Sequence, residues 1–171
     1  MKVAILCIVV GVLGCLQSCF DEAHADTIDD AVRYFCGPGH EDIAVLVRAE
    51  APRHPTRVVL LVAAESSCRG DKVNAATGAL GLIGIVPGKS ADPDHLEPAA
   101  LLDPATNLHL GVRHLEHLLS LCGSFAGALH VYHSKDGKCR NWRIDNHVLR
   151  LLEKERAFWH WLRDRDRALR S

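Results

Sequence analysis

Glu65 stands in the setting that most calls for a chemical explanation. It follows seven consecutive apolar residues, Val58 to Ala64. That run reads as a helix, which puts Glu65 at the helix's C-terminal end. A helix C-terminus disfavours negative charge, and apolar surroundings disfavour it further. A carboxylic acid held protonated near neutral pH is what a general acid needs in order to protonate a glycosidic oxygen. The structural alternative is that Glu65 emerges into solvent or pairs with a cation such as Arg69.

Other side chains of the right types are weaker candidates. Asp71, Asp92, Asp94 and Asp103 could supply a second carboxylate for hydrolysis by water. Asp103, directly before Pro104, reads better as a helix N-cap, and Asp92-Pro93-Asp94 as a turn. His109, His114 and His117 share one predicted helix, where His114 and His117, three apart, are surface neighbours. A metal site needs a third ligand and a fixed outer shell, so exposed positions are expected here and no metal or cofactor is assigned. His130 and His133 are likewise three apart. Cys68 beside a histidine would suit a nucleophile, but a disulfide is the stronger reading of that cysteine in an exported chain.

The elements that must position these groups are helices joined by polar turns, with no alternating strand. A first helix is predicted over 27–35, with Asp29 and Asp30 in its first turn, and a second over about 41–51. Pro55 opens a third helix, reaching Ser67, whose run from Val58 to Ala64 is apolar all round and therefore buried. A glycine-rich stretch follows, with Gly70, Gly78, Gly81, Gly84 and Gly88, and reads as loops with a small β-hairpin. Leu108, Val112, Leu115 and Leu119 line one face of a helix that starts at Asp103-Pro104 and stops at Gly123. A short helix covers 125–132, and one or two more lie between 144 and 169. The aromatic stripe Phe158, Trp159, Trp161 near the C-terminus is expected to pack onto the domain rather than form a glycan platform or a membrane anchor.

The first 25 residues belong to a different problem. Lys2, the apolar run Val3 to Leu16 and Ala23-His24-Ala25 form the pattern of a secretory signal peptide cleaved after Ala25. The alternative is a lipoprotein signal acylated at Cys19, after Leu16-Gln17-Ser18. Residues 26–171 are then a single domain. Cleavage leaves Cys36, Cys68, Cys122 and Cys139 of the seven cysteines, an even number that favours disulfides in an exported chain, with the pairing open. The chain has 171 residues, 48% hydrophobic and 24% charged, with net charge −1. That balance excludes a disordered tail or a fibre and removes the positive footprint of a general nucleic-acid binder. The charge is uneven: residues 26–134 hold eight Lys/Arg and thirteen Asp/Glu, residues 135–171 eleven and six. The alternating signs of Arg163-Asp164-Arg165-Asp166-Arg167 suit a solvated helix face.

Several motifs, in order and at matching spacing, resemble the soluble lytic transglycosylases. Glu65-Ser66-Ser67, followed by Gly81-Leu82-Ile83-Gly84-Ile85-Val86-Pro87-Gly88, is similar to that family's E-S … G-L-M-Q-[IV]-x-P-x core. Leu102-Asp103-Pro104-Ala105-Thr106-Asn107-Leu108, continuing to Leu115, resembles L-x-D-P-x-x-N-I-x-x-G-x-x-Y-L. Ala128-Leu129-His130-Val131-Tyr132-His133 stands where the family has A-L-A-A-Y-N, and Val148 fits a later Y-V-x-x-V. The resemblance covers roughly 41–152, with the C-terminal helices as an extension.

The resemblance implies a mainly α, lysozyme-like helical domain with a substrate cleft binding peptidoglycan glycan strands. It implies cleavage between N-acetylmuramic acid and N-acetylglucosamine with a 1,6-anhydro product. Glu65 is the implied catalytic residue; Ser66, Ile83, Gly84, Tyr132 and His133 occupy the implied substrate-binding positions. No cofactor and no nucleic acid enter. The chain is expected to be an exported monomer of the periplasm or cell envelope, and work beside an envelope or secretion-system assembly is left open. Four departures stand out. Gly84 replaces the G-L-M-Q glutamine and Ile83 its methionine, His133 replaces the Y-N asparagine, and His147 replaces the tyrosine of Y-V-x-x-V. They keep two alternatives in view: a catalytically impaired peptidoglycan-binding relative, and a lysozyme-type hydrolase using water. If Gly84 marks a lost anchor, restoring glutamine there is expected to raise turnover, with strain of about 1 kcal/mol as a competing cost if the backbone at 84 has positive φ.

Overall fold

A computed structural model describes residues 27–134, 137–139 and 145–171. The N-terminal segment expected to act as a signal, including Cys19, lies outside the described residues. Helix α1 spans 27–35. It is followed by α2 (Glu41–Glu50), α3 (Pro55–Ser66), α4 (Pro98–Leu101), α5 (Pro104–Cys122), α6 (Phe125–His133) and α7 (Asn146–Ala168). The architecture is mainly α, as the motifs imply. In place of a hairpin the glycine-rich stretch holds only isolated bridges, Val73 to Leu80 and Leu80 to Ile85. The four-residue α4 that follows that stretch has no helical periodicity to reveal it, being too short to show one.

The core is built around α3. Val58 through Val62 are all buried, so this helix meets neighbours on every side. It packs against α2 and α7, while α5 packs against α2, α4 and α6. Leu108, Leu115, Leu129, Ile43 and Val47 complete the same core. The caps follow the local sequence: Asp103 accepts from Thr106 N–H, Ser124 from Gly127 N–H, and Asp145 from the N–H groups of His147 and Val148. Each satisfies N–H groups that a helix start leaves open.

The cysteines pair as Cys36–Cys68 and Cys122–Cys139. The first ties the end of α1 to the turn leaving α3, and the second ties the end of α5 to the segment after α6. The aromatic stripe of α7 packs inward. Phe158 is fully buried, with Tyr34 and Phe35 of α1 at 5.5 and 5.2 Å between ring centroids. Trp161 stacks on the same cluster, and Trp159 stays partly exposed. Arg57 donates to Glu155 at 2.8 Å, joining α3 to α7, and Arg165 pairs with Asp30 to join α7 to α1. No helix among the described residues is long and apolar enough to cross a membrane.

Candidate active site

Glu65 occupies the last turn of α3, where the buried run ends. The chain then turns sharply through Ser67 and Cys68, both in the left-handed region at φ 55° and 63°. Non-glycine residues seldom adopt that conformation. Two ties hold the turn: Ser66 Oγ donates to Val62 C=O at 2.9 Å and accepts from Arg69 N–H at 3.2 Å, and Cys68 is anchored through its disulfide. Glu65 therefore leaves the core at a fixed place and faces a cleft of about 1090 Å³. Its carboxylate lies beside His133 in the cleft wall rather than pairing with Arg69.

The turn 81–84 lies directly against Glu65 and is held from behind by α5. Asn107, fully buried, accepts from Ile83 N–H at 2.9 Å and donates to Leu80 C=O at 2.9 Å and Leu101 C=O at 2.7 Å. Three bonds from one side chain lock the turn to α4 and α5. Ile83 inserts against Gly111 of α5, where a Cβ would lie 2.1 Å from its Cγ2; any side chain at 111 would expel it. Tyr132 of α6 completes the frame by donating its hydroxyl to Ile83 C=O at 2.8 Å. Burial, followed by the charge of Glu65, holds the Tyr132 phenol protonated far above its ordinary range, so it remains a donor.

Glu65, Gly84, Tyr132 and His133 thus meet at one cleft. Ser66 and Ile83 do not line it: both are fully buried behind it. Their side chains support the wall rather than meet a ligand, because one is consumed by a helix carbonyl and the other by the pocket over Gly111. Gly84 also departs from expectation. Its φ is +70°, and a Cβ there would lie 3.0 Å from Glu65 Oε2. The missing side chain is a space used by the Glu65 carboxylate, so restoring glutamine would disturb the acid it was expected to assist. Among the described residues lining the cleft, Glu65 is the only carboxylate, and Lys72 and Lys89 sit on its loop side.

His133 Nε2 stands 3.0 Å from Glu65 Oε1, but the two do not meet in hydrogen-bond geometry. His147, at the start of α7, brings its ring to 3.8 Å from that of His133. Burial, followed by the neighbouring His133, lowers the His147 imidazole below its ordinary range. Burial, with His117 next, does the same for His114 on the cleft's α5 side. Sequence spacing makes His114 and His117 neighbours on one helix without assigning them a site, whereas the fold gathers His133 and His147 around Glu65. His147 was visible only as a departure from a motif tyrosine. Asn107 lay inside a quoted motif, with no sign of its three bonds.

The comparisons with known proteins agree with this architecture. The family described as "Transglycosylase SLT domain" matches residues 45–148. The chain is 30% identical over 98 residues to the soluble lytic murein transglycosylase of Escherichia coli strain K12, covering 52% of this chain and 15% of that protein. The protein of the same name from Escherichia coli O157:H7 gives the same values. The one from Salmonella typhimurium strain LT2 is 31% identical over 93 residues, 48% of this chain and 14% of the relative. The chain therefore spans only about a seventh of the length of these relatives. No solved structure gives a significant match. The family match extends over more than half of the sequence and contains Glu65, the turn 81–84 and Tyr132-His133, and the chain belongs to the transglycosylase SLT domain family.

Proposed function

We propose that the protein is a peptidoglycan lytic transglycosylase, exported by its N-terminal segment and acting on wall glycan through this domain. The observation that carries this reading is a cleft whose described lining offers one carboxylate, Glu65, at the end of a buried helix. Ordinary glycosidases use two. A single carboxylate suffices when the nucleophile belongs to the substrate. Glu65 gives its proton to the glycosidic oxygen as the bond from C1 of N-acetylmuramic acid breaks. The resulting carboxylate takes the proton of that sugar's 6-hydroxyl as O6 bonds to C1, closing the 1,6-anhydro ring. Glu65 ends protonated as it began, and neither water nor a cofactor is consumed. A tethered hydroxyl also has the advantage of an intramolecular reactant.

In this reading Gly84 leaves room for the carboxylate and the sugar, and Tyr132 and His133 border the same space. Ile83 acts through its backbone carbonyl, which holds Tyr132, and Ser66 closes the helix end behind Glu65. The relatives' shared name, lytic murein transglycosylase, supports the substrate class. The test is mass spectrometry of muropeptides after incubation of peptidoglycan with the protein. Anhydro-muramic ends are expected. Reducing ends would replace this reading by hydrolysis, and absence of any product by a wall-binding role. Glu65→Gln is expected to abolish release of product while leaving the thermal melt within a few degrees of the parent.

A further inference from the structure

We propose that Glu65, His133 and His147 form a binding site for a divalent transition metal of the zinc class, opening onto the cleft. One carboxylate oxygen and two imidazole nitrogens from these residues all lie within 4.8 Å of one another. Two imidazoles and a carboxylate, with a fourth position left for water, is a donor set that zinc uses in catalytic sites. Bonds of about 2.0–2.1 Å in a tetrahedron put neighbouring ligand atoms roughly 3.4 Å apart. His133 Nε2 and Glu65 Oε1 are already at 3.0 Å. The other ligand-atom separations reach at most 4.8 Å, and the proposal closes them by rotation of the side chains, His133 being the most exposed of the three.

An independent observation points to the same centre. Glu65 Oε1 and His147 Nε2 are buried polar atoms without a hydrogen-bond partner. Buried polar atoms are ordinarily satisfied, and two such atoms on residues whose ligand atoms cluster with those of His133 match what a cation would satisfy. Local structure also fixes the ligands. Asp145 Oδ1 accepts from His147 N–H at 2.8 Å, and its Oδ2 meets His130 Nδ1 at 3.0 Å, so the first turn of α7 is tied to α6, which carries His133. His130 and Asp145 serve as positioning residues in this arrangement.

Metal binding carries a consequence that rests on the transglycosylase reading: an ion on Glu65 Oε1 competes with the proton that Glu65 must donate, so zinc would inhibit cleavage of the glycan. The binding itself does not depend on that reading.

The test titrates Zn2+ into the oxidised protein, whose described cysteines are all paired, against a chromophoric chelator of micromolar affinity. One equivalent is expected to bind in competition with the chelator. His133→Ala and His147→Ala should each weaken binding by about 100-fold, at least the loss seen when only an outer-shell partner of a ligand is removed. Co2+ in place of Zn2+ should show the visible absorption of a four-coordinate ion, lost in both variants. Circular dichroism melts check that the variants fold. If His147→Ala does not fold, His133→Ala, at an exposed position, decides the matter alone. Absence of stoichiometric binding overturns the proposal. So does binding that survives both substitutions but falls in His117→Asn, which would move the ion to α5. A protein that binds zinc but releases no muropeptide keeps the metal site and loses the transglycosylase reading. One that releases anhydro products and binds no zinc does the reverse.

Discussion

Replacing Gly84 by alanine adds one methyl group in the cleft wall against the Glu65 carboxylate. Its effect can be worked out from two features of the backbone. The φ of +70° costs an L-residue about 1–2 kcal/mol. The smaller conformational freedom of alanine in the unfolded chain offsets about 0.4–1 kcal/mol of that. The net loss is about 1 kcal/mol, which for a domain of this size lowers Tm by about 2–4 °C. The new Cβ also stands 3.0 Å from Glu65 Oε2, closer than a carbon and an oxygen pack without repulsion, so the carboxylate must retreat by a few tenths of an ångström. Displacing a reacting group by about 1 Å can cost a hundredfold in rate, so a shift of this size should lower turnover by about tenfold. Gly84→Gln adds the same Cβ and a longer chain in the same space, and should be at least as slow. The assay pairs calorimetric melts with the rate of muropeptide release at saturating and limiting peptidoglycan. A Gly84→Gln protein that folds and turns over faster than the parent would refute the reasoning, since it would show that the site lacks a side chain rather than needing the gap.

Reduction of the two disulfides should destabilise the protein strongly: with separations of 32 and 17 residues, chain-entropy arguments give about 3–4 kcal/mol for each. Melts with and without reductant check this, and a reduced protein melting within about 3 °C of the oxidised one contradicts it. Asn107→Ala orphans the buried Ile83 N–H and two carbonyls and should cost about 3–4 kcal/mol in urea unfolding, with a loss under about 1 kcal/mol counting against the role assigned to it. Backbone N–H bonds from Gly88 and then Leu96 hold the Asp92 carboxyl below its ordinary 3.8, and Thr106 does the same for Asp103. Because the folded values are the lower ones, this stability is present above the unfolded value and is lost as pH falls through the folded one. Tm measured from about pH 5 down to about pH 2 should therefore fall less steeply in Asp92→Asn than in the parent, and equal slopes would exclude the effect.

Much of the fold is legible in the residues because its causes are local. Pro55 and Pro104 start helices, Gly123 ends one, and the unbroken run from Val58 to Ala64 announces a helix with neighbours on all sides. Glu65 could be picked out for the same reason, since its place at the end of that run is a property of adjacent residues. The even count of cysteines indicated disulfides, but their pairing depends on which loop ends meet, and only the packed chain decides that. The same limit applies at the site. Ser66 and Ile83 sit at motif positions next to functional ones, yet a helix carbonyl and the hollow over Gly111 take their side chains out of the cleft. Gly84 read as a loss until its Cβ direction, set by a turn that Asn107 holds from 24 residues away, pointed at the Glu65 carboxylate. His147 joined the centre for a comparable reason. Nothing near it in the chain marks it as a partner of Glu65, and its ring reaches His133 because Asp145 and His130 clamp α7 to α6. Periodicity and capping are written in neighbouring residues, whereas the meeting of Glu65, Gly84, His133 and His147 depends on tertiary contacts that close long loops.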